Sequence, residues 1–468
     1  MRVSDLRETL EREVKLSPGK RFVMPDLGGE ALASRVFVST YHDTPDHLLA
    51  RSGLTLRHRV ENGRGRWQLK LPSGDARLEL EADGPARTVP SKITGLLQTF
   101  LRRRKLVPVA RLRTRRDGVR VSGAEVVHDS VAVLDGQRVA RTFDELEVEL
   151  IDGDERALKR LEKALRRAGA DDGESRPKLF QALDLAFDPD PAEPARDGAA
   201  AAALAAAFRA QHARILAHDP GTRLGADPES LHQLRVATRR LRAFLRAGRP
   251  LLAREWADEL RAELGWLGGV LGPARDLDVL VGHLRPEAAR LEAPDSEGGT
   301  ILVRALGRER SAARRRVLRA LAHERYGALL DRLEAGDPPL AEAAGPTSLV
   351  DIWRAEHARL RREVGRLDDV PDDDRLHGVR IKTKRARYAA ELAGLEGYVR
   401  AAKALQDVLG EHQDAVVAEA RLRTLAASRP EAAIAAGRLV ERERSRQAET
   451  RDRWARQWAA LAKQAKKA

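Results

Sequence analysis

The sequence predicts an α+β chain in which an antiparallel, β-rich N-terminal half precedes an all-α C-terminal half. Three observations carry this. Up to about residue 188, apolar and polar residues alternate over short runs separated by Gly, Pro and Asp clusters, the pattern of antiparallel strands and turns. A Pro-rich polar stretch, Asp188-Pro-Asp-Pro-Ala-Glu-Pro-Ala-Arg-Asp-Gly198, then interrupts the pattern as a linker does. Beyond it the composition shifts to Ala, Leu, Arg and Glu at helical spacing. The expected organisation is therefore a domain over 1–188, a linker over 189–199, a helical domain over 200–460 and a basic tail over 461–468.

Composition narrows the class. The 468 residues carry a formal charge of +14 with only 4% aromatics, which favours polyanions held by charge over bases held by stacking. There are no cysteines, so disulfides and thiolate metal sites are excluded. No apolar run approaches the roughly 18 residues of a membrane span, and the N-terminus is charged throughout. The expectation is a soluble cytoplasmic protein without membrane contact.

The first strand sets the theme. In Glu11-Arg12-Glu13-Val14-Lys15, alternation puts Glu11, Glu13 and Lys15 on one face, and buried charges of this kind need partners. Val36 to Tyr41 reads as a strand closed by the turn residues His42-Asp43-Thr44-Pro45-Asp46. Leu54 to Val60 places Arg57 and Arg59 on a shared face, and the strands Trp67 to Pro72 and Arg77 to Glu81 follow. Arg111, Arg113 and Arg115 alternate, with Arg116 on the other face; a one-residue slip of phase would exchange Arg113 or Arg115 for Arg116. Phe143 to Leu150 presents Glu145, Glu147 and Glu149 on one face and apolar residues on the other. Asp152 to Ala168 is helical by pattern, and Ser175-Arg176-Pro177-Lys178 closes the set. Nearly every strand thus has one apolar and one charged face, and the charged faces carry both signs. Two architectures satisfy this: a sheet with one wet side, or a closed barrel whose inward charges line a polar lumen.

The helical half contains an internal repeat. Leu231-His232-Gln-Leu-Arg235-Val-Ala-Thr-Arg239-Arg240-Leu-Arg242 is echoed by Leu376-His377-Gly-Val-Arg380-Ile-Lys382-Thr-Lys384-Arg385-Ala-Arg387. At helical rotation the His and the cations at offsets +3, +7 and +10 fall within roughly 80° of arc, one cationic stripe per copy. A second echo, Leu271-Gly272-Pro-Ala-Arg275-Asp276 and Leu409-Gly410-Glu-His-Gln413-Asp414, follows each stripe, and two helical bundles related by a pseudo-twofold are the simplest reading. Like charges at this spacing repel, so two such stripes fit a basic groove for a linear polyanion better than a solvated surface. Zinc is disfavoured at the histidines, because the surrounding side chains are cations.

The N-terminal motifs resemble, in order, the CYTH family of triphosphate tunnel metalloenzymes: Glu11-x-Glu13-x-Lys15, Tyr41-His-Asp43-Thr44-Pro45, Leu56-Arg57-His-Arg59, Leu69-Lys70-Leu-Pro72, Thr114-Arg115-Arg116, Glu145-Leu-Glu147 and Arg176-Pro-Lys178. The resemblance implies an eight-stranded antiparallel tunnel that binds a triphosphate with Mg2+ or Mn2+. It also implies metal ligation by Glu11, Glu13, Asp129, Glu145, Glu147 and Glu149, and phosphate contacts from Lys15, Arg57, Arg59, Lys70, Arg113 or Arg116, and Lys178. Glu11, Glu13, Lys15, Glu145 and Glu147 would form the catalytic set. Oxygen ligands without His or Cys suit such hard cations, and metal-assisted hydrolysis would follow. The stripes resemble the CHAD domain, a conserved-histidine helical domain often fused behind a CYTH domain. That resemblance implies binding of inorganic polyphosphate through His232, Arg235, Arg239, Arg242, His377, Arg380, Lys384 and Arg387, and an association with polyphosphate granules. The absence of a Walker-type glycine loop argues against a P-loop enzyme, and nucleic acid is the less favoured polyanion. Two rivals stay open at this point: adenylate cyclase, an activity found within the CYTH family, and a non-catalytic polyphosphate-binding, granule-associated protein.

Overall fold

In a computed structural model of the chain, which describes residues 6–73, 76–121, 123–152, 154–172, 176–185, 200–341 and 348–468, strands fill the first half and helices the second. The expected linker over 189–199 lies outside the described residues. Two compact units result, Met1–Pro191 with Asp219–Leu224, and Ala192–His218 with Gly225–Ala468. No helix among the described residues is long and apolar enough to cross a membrane.

In the first unit the strands are β1 (Arg7–Glu11), β2 (Glu13–Pro18), β3 (Glu30–Asp43), β4 (Thr55–Glu61), β5 (Arg64–Ser73), β6 (Ala76–Asp83), β7 (Val107–Val121), β8 (Ala124–Asp135), β9 (Arg138–Leu150) and β10 (Ala170–Asp172). Short helices α1 (Leu48–Arg51), α2 (Ser91–Leu96) and α3 (Gln98–Leu101) sit in the connections, followed by α4 (Glu155–Arg167) and α5 (Lys178–Leu183). One antiparallel sheet runs in the order β1-β6-β5-β4-β3-β7-β8-β9-β2-β10. The expected closed, eight-stranded tunnel is thereby corrected to ten strands in an open ladder. The reason lies at Arg12. The stretch read as one strand divides there, Glu11 pairing with Arg77 of β6 and Glu13 with Glu149 of β9, and the three-residue β10 adds a further edge. Because β1 and β2 are consecutive in the chain, the same peptide links one end of the sheet to its other side. The sheet must therefore curl, and its charged face turns inward.

Alternation sorts the faces. Outward-facing Leu16, Val126, Leu146 and Val148 pack with Leu161 and Leu165 of α4, whose first turn is capped by the Asp154 carboxylate accepting from the Ala157 amide at 2.8 Å. On the inner face, Leu112 and Val131 pack with Tyr41 and with Leu179 and Phe180 of α5. This cluster fixes α5 against the sheet, with Lys178 in its first turn.

The helical unit comprises α6 (Ala200–Leu224), α7 (Pro228–Ala247), α8 (Arg254–Ala289), α9 (Asp295–Ala322), α10 (Glu324–Glu334), α11 (Leu349–Val364), α12 (Asp373–Leu392), α13 (Glu396–Ser428) and α14 (Ala433–Ala465). The long helices recur in order: α7 and α12 have 20 residues each, and α8 and α13 have 36 and 33. Both stripe helices start on an Asp cap, Asp227 and Asp372. Among the described residues α10 has no counterpart in the second series, so the repeat is not complete. Helices α7 and α12 are neighbours, as are α9 and α14, and Leu280, Leu284, Leu302, Leu306, Leu422 and Leu439 share the core between α8, α9, α13 and α14. The basic tail expected from residue 461 begins inside α14, which continues to Ala465 with Leu461 buried.

Candidate functional sites: a charged β-lined face and a cationic helix pair

The inner face of the sheet collects the predicted residues from seven strands and α5. At its centre is Lys178, whose ammonium lies 2.6 Å from Glu147, 2.7 Å from Glu145 and 3.0 Å from Asp129. Lys15 on β2 approaches the same carboxylates, 2.9 Å from Glu145 and 3.1 Å from Glu147, with Glu13 at 3.7 Å. Arg116 forks onto Asp129, donating from Nε at 2.7 Å and from Nη2 at 2.6 Å, and its Nη2 also reaches Glu147 at 2.6 Å. Burial opposes charge at Glu147, but Lys178, Lys15 and Arg116 outweigh it and hold this carboxyl well below the usual range. Burial likewise opposes charge at Lys15, yet Glu13, Glu145 and Glu147 hold its ammonium well above the usual range. This half of the site is a charge-balanced lattice.

The other half is less neutralised. Lys70 on β5 pairs with Glu11 and stands 3.8 Å from Glu79. Burial, aided by Glu79, still pushes the Glu11 carboxyl up to about 7. Glu149 is also pushed up to about 7, by burial and then by the carboxylates of Glu11 and Glu13. At Arg57, Nε donates to Gln68 at 2.7 Å and Nη1 to the Tyr41 hydroxyl at 3.3 Å. Arg59 lies over the Phe37 ring at 3.6 Å and donates to Glu61 at 2.6 Å. Burial and the neighbouring Arg57 and Arg116 lower its guanidinium to about 10.

All the strand residues expected at this site are on this face except Arg113. It pairs in register with Val38 and Ala132 and is exposed on the outer face, while Arg116 lies inside. Arg115 is outside as well, with its guanidinium 3.1 Å from Asp117. Sequence reading missed Gln68, Glu79 and Glu81. Gln68 links Arg57 to Glu81, donating to the latter at 2.6 Å. The signal was available, since Gln68 is two residues from Lys70, and Glu79 and Glu81 alternate as the other site carboxylates do.

The carboxylates Glu11, Glu13 and Glu149 are the set whose chemistry fits a divalent ion. Glu11 is buried and Glu13 and Glu149 half-buried, and Glu11 and Glu13 raise the proton affinity of Glu149, a conflict a hard cation relieves. Among the described residues no three His, Asp or Glu are gathered as a ready ligand set, because the lysines and arginines draw the carboxylates toward themselves.

The helical unit presents the second site. Arg239 on α7 donates from Nε to the Tyr388 hydroxyl of α12 at 2.8 Å, tying the stripes together. Arg235 lies 3.3 Å from Asp276 of α8, and His377 Nδ1 lies 2.7 Å from Gln413 Oε1 of α13. The second echo thus supplies partners to the first. Burial and the adjacent Arg275 lower the His232 imidazole below its usual range. Burial also lowers Arg380, against Asp414 and with Arg239 and Arg235 contributing. At Lys384 burial acts together with Arg380, Arg239, Arg235 and Arg387, and the ammonium is pushed down to about 7. Arg380 Nε and Arg387 Nε have no hydrogen-bond acceptor, although Arg387 stands 3.6 Å from Glu391. Arg242, the outermost residue of the first stripe, is exposed. A half-buried set of cations that mutually disfavour their charge stores an attraction for an anion.

Comparison with known proteins gives two family matches and relatives that span most of the chain. The CYTH domain model matches residues 9–177, and the CHAD domain model matches residues 206–423. An uncharacterized protein of Mycobacterium tuberculosis is 31% identical over 460 residues, covering 88% of each chain. Among solved structures, PptA from Streptomyces chartreusis is 26% identical with a TM-score of 0.49, covering 55% of this chain and 99% of its own. The CHAD domain from the plant Ricinus communis is 30% identical with a TM-score of 0.47, covering 59% of this chain and 96% of its own.

Proposed function

The chain belongs to the family of proteins that join a CYTH domain to a CHAD domain, and from that premise we propose that it hydrolyses a phosphoric anhydride in a triphosphate-ended substrate and binds inorganic polyphosphate through its helical unit. The observation that carries the first part is the pairing of four inner cations with carboxylates at the sheet: Lys15, Lys70, Arg116 and Lys178 against Glu11, Asp129, Glu145 and Glu147. Phosphate oxygens are the natural alternative partners of those cations. On substrate entry Lys178, Lys15 and Arg116 would turn from carboxylate to phosphate and stabilise charge gathering on the transferring group. Arg57, already fixed by Tyr41 and Gln68, would orient the phosphate chain. Glu11, Glu13 and Glu149, with Asp129, Glu145 and Glu147 as they are released, would hold Mg2+ or Mn2+, which when bound neutralises phosphate oxygens as a Lewis acid.

For the helical unit the supporting observation is the mutual repulsion around Lys384, which a polyanion would relieve. Product analysis tests the catalytic reading against the cyclase. Incubation with ATP and Mn2+ should yield orthophosphate and ADP; pyrophosphate with a cyclic nucleotide would replace the proposal with cyclisation.

A further inference from the structure

Between the C-terminal end of α8 and the middle of α9 runs an open groove of about 650 Å³. Its walls carry Arg285 from α8 and Arg304, Arg308 and Arg315 from α9, over a floor that includes Gly307 and Val303, and no carboxylate lines it. None of these residues belongs to the stripes on α7 and α12. Arg304, Arg308 and Arg315 follow one another at four and seven residues, so helical rotation keeps them along one face, and like charges so placed repel.

The neighbouring arginines show what an ordinary solvated surface would do. Arg290 pairs with Glu287 at 2.6 Å, Arg421 with Glu309 and Arg438 with Asp295 each at 2.5 Å, and Arg442 with Glu287 at 2.9 Å. Glu287, Asp295 and Glu309, three acids close to the groove in sequence, are each claimed by an arginine outside it. Among the described residues, Arg285, Arg304, Arg308 and Arg315 have no carboxylate within ion-pair distance. The hydroxyls of Thr300 and Ser311 donate to helix carbonyls, which leaves the guanidinium groups as the principal donors facing the groove. Each offers a fork of N–H donors suited to phosphate oxygens.

We propose that this α8/α9 groove is a second binding site for an inorganic phosphate chain, separate from the stripes. The absence of any aromatic side chain from the lining favours a bare phosphate chain over a nucleic acid, which would gain from base stacking. The proposal goes beyond the reading of the stripes and can stand without it. An extended chain could run along the face of α9 while a more distant part of the same polymer occupies the first site, raising avidity without any new contact.

The test titrates full-length protein with polyphosphate of about ten phosphates at fixed salt, comparing wild type, Arg304→Glu with Arg308→Glu, and Arg239→Glu with Arg380→Glu. The α9 side chains are exposed, so the first pair is expected to keep the wild-type circular dichroism. The expected result is that the stripe variant retains a binding step which the α9 charge reversals weaken at least tenfold when added to it. Arginine-to-lysine changes at 304 and 308 should restore most of that step. Loss of all binding in the stripe variant, or an unchanged isotherm on reversing Arg304 and Arg308, would overturn the second site. Full binding in the stripe variant that disappears on reversing Arg304 and Arg308 would support it while removing the stripes from the account. Single-stranded RNA of equal charge that occupies the groove with equal affinity would overturn the assignment to a bare phosphate chain.

Discussion

Lys178 places its ammonium 2.6 Å from the Glu147 carboxylate, joining the first turn of α5 to the C-terminal part of β9 across the inner face of the sheet. The same nitrogen is within 3.0 Å of Asp129 and 2.7 Å of Glu145, so a single lysine offsets three buried acids. Removing one partner of a buried ionic cluster leaves uncompensated charge, which costs roughly 3–5 kcal/mol. Lys178→Ala should therefore lower the thermal midpoint markedly, and Lys178→Ala with Glu147→Gln should recover part of the loss. A midpoint equal to wild type in the single variant would show that the acids do not depend on this lysine.

Arg116 and Arg113 offer a comparison of the two strand faces. Arg116 is inside with Asp129 and Glu147, and Arg113 is exposed on the outer face. Arg116→Ala should cut kcat/KM for tripolyphosphate at least a hundredfold, about the loss of one preorganised charge stabiliser. Arg113→Ala should leave the rate within twofold. Equal losses in steady-state assays would mean that the phase of β7 is wrong.

That phase marks the limit of what the sequence disclosed. Alternation in Phe143 to Leu150 identified the face of Glu145, Glu147 and Glu149, because Leu146, Val148 and Leu150 occupy the intervening positions. Along β7 arginines occupy both faces, so polarity could not choose between them; the pairings of Arg116 with Asp129 and Arg113 with Ala132 decide it. The break at Arg12 was hidden for a related reason. Glu11 and Glu13 alternate as one strand would, and only long-range pairing with β6 and β9 divides them. The stripes of α7 and α12 were legible because helical periodicity is local. Their partners Tyr388 and Asp276 were not, since contacts between helices leave no periodic trace. The α9 arginines were equally hidden in an Arg-rich segment, where only tertiary pairing separates engaged side chains from the groove-lining ones.

Lys384 makes the helical site pH-dependent. Its ammonium is held down to about 7 in the free protein, and a bound polyanion would raise it toward the ordinary lysine range. Binding therefore takes up as much as one proton between about pH 7 and 10. Affinity for polyphosphate should fall as pH rises through that window, by at most tenfold per unit, and be nearly constant just below it. Lys384→Arg, charged throughout, should flatten the profile in titrations at constant ionic strength. An alkaline decline that persists in this variant would assign the dependence elsewhere.

The same shift affects folding with the opposite slope. The unfolded chain protonates Lys384 at about 10.4, before the folded chain does, so stability contributed at this residue falls as pH drops from about 10 to 7. Lys384→Met should remove that part of the slope in denaturant unfolding between pH 7 and 10. An unchanged slope would contradict the burial of this ammonium among cations.

Tyr388 links the two stripes through its hydroxyl, which accepts from Arg239 at 2.8 Å. Tyr388→Phe should cost roughly 1.5–3 kcal/mol, the range for a hydrogen bond to a charged group. It should also weaken polyphosphate binding severalfold by freeing Arg239, while leaving triphosphate hydrolysis unchanged. Loss of hydrolysis in this variant would show that its effect is not confined to the helical site.

Phosphate release from tripolyphosphate in the presence of Mg2+ or Mn2+, measured for wild type beside Glu13→Ala with Glu147→Ala, tests the central claim most directly. Metal-dependent release by the wild type that disappears in the double variant is the result expected of a hydrolytic site on the inner face of the sheet. Absence of release from the folded wild-type protein with either metal, or equal release by the double variant, would contradict it.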